Sequence, residues 1–238
     1  MLLALDTSAV ASAALLATGA DGGRVLAARA AQDPRRHAEV LQPMVEDVLA
    51  EAGAGRRDVT AVVVGVGPGP YTGLRVGMAA ALTLGAALDV PVHGVCSLDA
   101  VARATADALG DGLPDVLGVA TDARRREVYW ATYATADELR RTGGPDVGAA
   151  ADVAGAAGRW VGRGAVLYPD HLAALPAATT DGAVRDDLRD PAAAAVGLVA
   201  ADALAGRGAL ALVPVEPLYL RRPDAVATAD RGAPAPVR

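Results

Sequence analysis

From Val62 to Gly77 the chain reads Val-Val-Val-Gly-Val-Gly-Pro-Gly-Pro-Tyr-Thr-Gly-Leu-Arg-Val-Gly, and no other stretch narrows the choice of fold as far. The valine run suits a strand covered on both faces, the habit of parallel strands in α/β proteins. The alternating glycines and prolines from Gly67 to Pro70 can neither continue a strand nor occupy a helix interior. Thr72 suits a cap, so a helix is predicted from about Thr72 to Leu88. A buried strand turned sharply into a helix points to an α/β chain.

The predicted helix places Gly73, Gly77, Ala81 and Gly85 four residues apart, so one narrow stripe carries almost no side chain. Two interior glycines cost about 2 kcal/mol relative to alanine. Close approach of another backbone would offset that cost. The neighbour is either the chain's own sheet or a partner.

At 238 residues and 53% hydrophobic content the chain has enough apolar surface for one large domain or two small lobes. A net charge of -6 argues against a protein that grips nucleic acid by itself, because phosphate contacts need a basic surface. All 22 cationic side chains are arginine. The lack of lysine excludes Schiff-base chemistry, a Walker-type phosphate loop and the protein-kinase pattern. Cys96 is the only cysteine, which rules out an intramolecular disulfide or a cysteine-based zinc cluster and fits a reducing compartment. The apolar start is interrupted by Asp6, with no cation before Arg24, and does not read as a signal peptide. The expectation is a cytoplasmic protein with no membrane span.

Taken in order, Leu2 to Leu5 is an apolar run ending at Asp6-Thr7-Ser8, and Val10 to Ala17 and Arg24 to Ala31 read as two further strands. Asp33 is expected to cap a helix beginning at Pro34, with Leu41, Met44, Val45 and Val48 on its apolar face and a kink at Pro43. After the central strand and helix, Val92 to Cys96 is a strand, and Ser97 caps a helix to about Leu109. Val116 to Thr121 is again an apolar strand ending at an acid, Asp122, and Glu127 to Ala134 returns from it. A weaker strand is expected at Glu138 to Arg141, a helix at Ala149 to Ala157 and a strand at Arg159 to Gly162. Asp190-Pro191 opens a helix to Leu204, Val213 to Leu220 returns towards a sheet, and Arg221 to Arg238 reads as a loose tail. The second half repeats the element order of the first, which predicts lobes over 1–110 and 111–220 and a tail over 221–238.

Two lobes of βββαβα type, each opening with a strand that ends in Asp, describe a duplicated actin-like (ASKHA, ribonuclease H-like) α/β fold. Within that frame, Asp6-Thr7-Ser8, Arg36 to Met44, Gly67 to Gly77, Asp122 to Trp130 and Pro217-Leu218-Tyr219-Leu220-Arg221 resemble the TsaB family in order and spacing. The resemblance runs from residue 2 to about 222. It implies a non-catalytic paralogue in bacterial synthesis of threonylcarbamoyladenosine on tRNA. The implied partners are a TsaD-like subunit, a TsaE-like ATPase and, in isolation, a second copy, with tRNA met only inside the complex. In the family the first-lobe helices form the pairing surface. That assigns His37, Leu41, Met44, Val45, Val48, Gly73, Arg75, Gly77, Ala81 and Gly85 to partner binding, and Gly77→Leu is expected to block association while leaving the fold largely intact.

No residue is assigned a catalytic role. The catalytic paralogue, TsaD or Kae1, holds a metal between two histidines four residues apart at a helix start, where this chain reads Ser97-Leu98-Asp99-Ala100-Val101. No metal and no cofactor is therefore expected. His37 is read as a surface or helix-packing residue. Asp6, Thr7, Ser8, Asp122 and Arg124 are candidates for a vestigial nucleotide cleft between the lobes, or else simply form turns. The Arg124-Arg125-Arg126 turn either binds an anion or is a solvated turn. Gly67 to Gly73 is read as a structural turn in preference to a phosphate cradle, since it lacks lysine and Pro68 and Pro70 lack N–H donors. The alternative function is a small-molecule kinase or ATPase of the same fold working in that cleft.

Overall fold

The computed structural model describes residues 1–31 and 37–221, without the side chains of His37 and Ala38. The Asp33 cap, the Pro34 helix start, the His37 side chain and the tail beyond Arg221 lie outside the described residues.

The strands β1 (Leu2–Asp6), β2 (Ser12–Gly19) and β3 (Gly22–Ala30) form the predicted meander, and β4 (Ala61–Gly65) and β5 (Val92–Val95) add parallel to β1 in the order β3-β2-β1-β4-β5. Every residue of β1 and β4 is buried, which is why both read as unbroken apolar runs. The second sheet holds β6 (Val116–Asp122), β7 (Glu127–Ala134), β8 (Arg140–Ala149) and β9 (Arg159–Val161) in the order β8-β7-β6-β9. Here too the first three strands are antiparallel and the fourth pairs parallel with the first. Repetition of this strand order gives the ribonuclease H-like, actin-like architecture.

The helices are α1 (His37–Glu51), α2 (Tyr71–Leu88), α3 (Ser97–Leu109), α4 (Ala150–Val153), α5 (Arg163–Leu167) and α6 (Ala193–Leu204). Several boundaries differ from expectation for identifiable reasons. Pro70, not Thr72, caps α2, since proline's fixed φ suits the entry and Thr72 already lies in the first turn. Cys96 caps α3, and Ser97 becomes its first residue with its hydroxyl engaged elsewhere. The weak strand at 138–141 is the start of the ten-residue β8, which runs through Gly143-Gly144-Pro145 because an edge strand with shifted register tolerates these breakers. It displaces the expected helix at 149–157 to the four residues of α4 and a short 3-10 turn. Val213 contributes only an isolated antiparallel bridge to Gly94.

Two cores result. On the outer face of the first sheet, Leu3, Leu5, Leu15, Val62 and Val64 meet Leu41, Val45 and Val48 of α1 and Leu74 and Met78 of α2. On its inner face, Leu2, Ala4, Leu16 and Val63 join a core that continues through α3 and α6 to Leu117, Val119, Tyr133 and Trp160 of the second sheet. The helices cross over: α6, from late in the chain, packs on β1 to β4, whereas α3, from the first half, packs on β6, β7 and β9. A Cβ on Gly197 of α6 would collide with Leu16, so this helix approaches the first sheet where it lacks a side chain. Ser12 of β2 accepts a hydrogen bond from the Ala193 amide at 3.0 Å, capping α6 from outside its own segment. Buried Asp99 of α3 accepts from Tyr133 at 2.8 Å and Arg141 at 3.0 Å, tying that helix to β7 and β8.

Candidate functional site

A cleft of about 410 Å³ opens where β1 and β6 end side by side, walled by Ser8, Val10, Pro68, Asp122, Arg163 and Asp190 among others. Both strands close in the same way. The Asp6 Oδ1 accepts from the Ser8 amide at 2.8 Å, and the Asp122 Oδ1 accepts from the Arg124 amide at 2.8 Å. Asp6-Thr7-Ser8 and Asp122-Ala123-Arg124 are thus equivalent turns, a repeat hidden in the sequence because only the aspartate is shared.

The two aspartates have different surroundings. Asp6 does not face the cleft as expected. It is fully buried, and it also receives the Ser8 and Ser97 hydroxyls, each at 2.7 Å. Burial pushes its carboxyl up to about 6, and the hydrogen bonds from Ser8 and Ser97 oppose that rise. Ser97 in turn accepts from the Gly67 amide at 3.1 Å, so Asp6 organises the turn after β4 and the start of α3. Thr7 is also buried and turned to α2, leaving Ser8, Asp122 and Arg124 of the predicted set on the cleft. A kinase or ATPase there would lack a free carboxylate at the end of β1.

Arg124, Arg125 and Arg126 all have positive φ, at 62°, 55° and 64°, an uncommon setting for three successive non-glycine residues. Arg124 pairs with Asp122 at 3.2 Å. Sequence reasoning missed the polar cleft residues Thr121, Tyr129, Arg163 and Asp190. Thr121 and Tyr129 pair across β6 and β7, so the strand alternation around Asp122 could have signalled them. Arg163 forms a two-pronged pair with Asp190, 27 residues away, and no spacing rule links them.

The predicted partner face requires correction. Leu41, Met44, Val45 and Val48 are buried against the outer face of the first sheet, and Gly73, Gly77, Ala81 and Gly85 are buried on the side of α2 facing β1, β4 and β5. A Cβ would collide with Thr7 at Gly77 and with Val92 at Gly85, so the bare stripe accommodates the chain's own strands. Gly77→Leu would therefore disturb the fold. Of the assigned residues on α2 only Arg75 is exposed. Its guanidinium lies 3.8 Å from the centre of the Tyr71 ring, and its Nε donates to Tyr219 Oη at 3.0 Å. The rings of Tyr71 and Tyr219 stack at 4.8 Å.

The opposite face of α2 presents Tyr71, Thr72, Arg75, Ala79, Leu82, Thr83 and Ala86 to solvent, with Leu82 50% exposed and Arg75 as the only charge on the helix. By length and composition α2 is apolar enough to cross a membrane, yet it lies packed along the first sheet.

Residues 25–169 match the family described as "TsaD: tRNA N6-adenosine threonylcarbamoyltransferase". The solved structure of YeaZ from Pseudomonas aeruginosa superposes with a TM-score of 0.71 at 32% identity, covering 92% of this chain and 99% of that one. The chain belongs to the TsaB/YeaZ family. The uncharacterized protein Rv3421c of Mycobacterium tuberculosis is 48% identical over 227 residues, 94% of this chain and 93% of that one. TsaB of Escherichia coli, the tRNA threonylcarbamoyladenosine biosynthesis protein, is 39% identical over 100 residues, 42% of each chain. The TsaB-like stretches converge in space: Thr7 of 6–8 bonds to Gly73 and Gly77 of 67–77, Leu218 of 217–221 donates to the carbonyl of Val66, next to 67–77, at 3.0 Å, and Arg221 donates to the carbonyl of Ala123, within 122–130, at 3.2 Å.

Proposed function

We propose that this chain is a non-catalytic scaffold in the biosynthesis of threonylcarbamoyladenosine on tRNA, the process for which its TsaB relatives are named. In this reading it docks through the solvent face of α2, beside α1, on a TsaD-like paralogue that carries the chemistry. A TsaE-like ATPase completes the system, and a second copy takes the paralogue's place when the chain is alone. The observation that carries the reading is the α2 surface: an 18-residue helix with one charge, exposing Tyr71 and Leu82 beside a run of alanines. Uncharged faces of this kind are characteristic of protein contacts. The place that the family resemblance gives to the paralogue's metal ligands is closed, with Ser97 bonded to Asp6 and Val101 buried in the core.

The test is size-exclusion chromatography with light scattering on the chain alone and mixed with its TsaD-like paralogue, with and without ATP. The wild type should shift from a self-associated form to a mixed complex, and Leu82→Asp should abolish both assemblies without lowering the melting temperature. A complex unchanged by Leu82→Asp would overturn this docking face. No complex under any condition would overturn the scaffold reading.

A further inference from the structure

The row of residues on the inner face of the second sheet begins in the core and ends in the cleft. Cross-strand pairs along it are Leu117 with Tyr133, Val119 with Ala131, and Thr121 with Tyr129. Thr121 and Tyr129 are 6% and 9% exposed, and neither hydroxyl has a hydrogen-bond partner among the described residues. Since no fully enclosed side-chain oxygen or nitrogen among the described residues lacks a partner, both hydroxyls are open to the cleft that the two residues line. Hydroxyls that the chain itself leaves unpartnered on such deeply buried residues are free to bond whatever occupies the cleft.

The charges around them define what that ligand is. Arg163 is held by Asp190 and Arg124 by Asp122, so the two cations and two anions balance. The Ser8 and Arg124 amides, which would otherwise face a phosphate from the two turns, both donate to their own aspartates. A phosphate therefore finds neither an unpaired guanidinium nor a free turn amide at these positions. Asp122 and Asp190 keep acceptor capacity beyond their arginine pairs, and a carboxylate that accepts from adjacent sugar hydroxyls is a common means of diol recognition. Pro68, Pro70, Pro191 and Val10 supply apolar walls for the carbon face of a ring. The volume of about 410 Å³ falls in the range of small-molecule sites.

We propose that the cleft binds an uncharged small molecule bearing a vicinal diol, of nucleoside or monosaccharide size, held by Thr121, Tyr129, Asp122 and Asp190. The ligand is bound and not transformed. The site is separate from the α2 face, so the two readings fail independently.

Calorimetric titration of the full chain with adenosine, a dideoxyadenosine lacking the diol, glucose and ATP tests it. Saturable binding of adenosine or of glucose is expected, and whichever binds identifies the source of the diol. The dideoxynucleoside should bind at least about tenfold more weakly than adenosine if adenosine is the ligand. Thr121→Val and Tyr129→Phe keep side-chain shape while removing the hydroxyls, and each should weaken binding about tenfold at an unchanged melting temperature. The proposal is overturned by ATP binding about tenfold tighter than adenosine, by saturable adenosine binding that the dideoxynucleoside equals, by parental affinity in either variant, or by no saturation with adenosine or glucose up to about 10 mM.

Discussion

Thr7 bridges one turn of α2: its Oγ1 donates to the Gly73 carbonyl at 2.7 Å and accepts from the Gly77 amide at 3.1 Å, where a Cβ on Gly77 would collide with it. This contact fixes the end of the first strand to the helix. Gly77→Ala should therefore destabilise the chain by about 1–3 kcal/mol through overpacking, despite alanine's better helix propensity. Thr7→Ala removes the obstructing oxygen, so the double variant should be more stable than the sum of the single effects predicts, as read from urea unfolding. Strict additivity would mean that the two residues do not constrain each other.

Asp6 gives a pH dependence with a defined sign. Its carboxyl titrates near 3.8 when unfolded and at about 6 when folded, so between these values the native state holds a proton that the unfolded state releases. The contribution is complete below the unfolded value and is lost as pH rises through the folded one, for a total on the order of 3 kcal/mol. Relative to wild type, Asp6→Asn should gain stability as the pH is raised from about 4 to about 7 in denaturant titrations. A constant difference between the two proteins across that range would contradict the burial of a titrating carboxyl.

The segment after Val213 links parts that are far apart in sequence. It pairs with Gly94, passes Val66, stacks Tyr219 on Tyr71 and reaches Ala123 and Glu127 through Arg221. Arg221→Ala should speed amide exchange across residues 123–127 while changing global stability by less than about 1 kcal/mol, because the ion pair is part-exposed. Unchanged exchange in that hairpin would show that the segment does not hold it.

Cys96 is fully buried, and burial pushes its thiol up to about 12, with the nearby Asp99 charge adding to the rise. An aromatic disulfide reagent should leave the native chain unlabelled and modify it only at the rate of unfolding. Rapid labelling at neutral pH without loss of secondary structure would contradict that placement.

The sequence was most legible where one physical demand dominated. The Val62 run and the Gly67 to Pro70 breaker announced a buried strand and a turn, and apolar runs ending at Asp6 and Asp122 announced the duplication. The site was less legible because its relations are long-range. Leu41 and Gly77 carry the pattern of a contact face, but a pattern does not say whether the chain's own sheet or another molecule covers it. Arg163 and Asp190 are 27 residues apart and meet only in the folded chain, and Ser97 reads as a cap until Asp6 is placed beside it.

The crossing of α3 and α6 has a consequence for how the chain is made. A ribosome delivers all five strands of the first sheet by residue 95, but the helix that covers their inner face ends at Leu204. Until that helix emerges, Leu2, Leu16 and Val63 have no lid, and the early half of the nascent chain stays open on one side. That helix acts as a keystone: the first sheet is shut only once translation has passed residue 204.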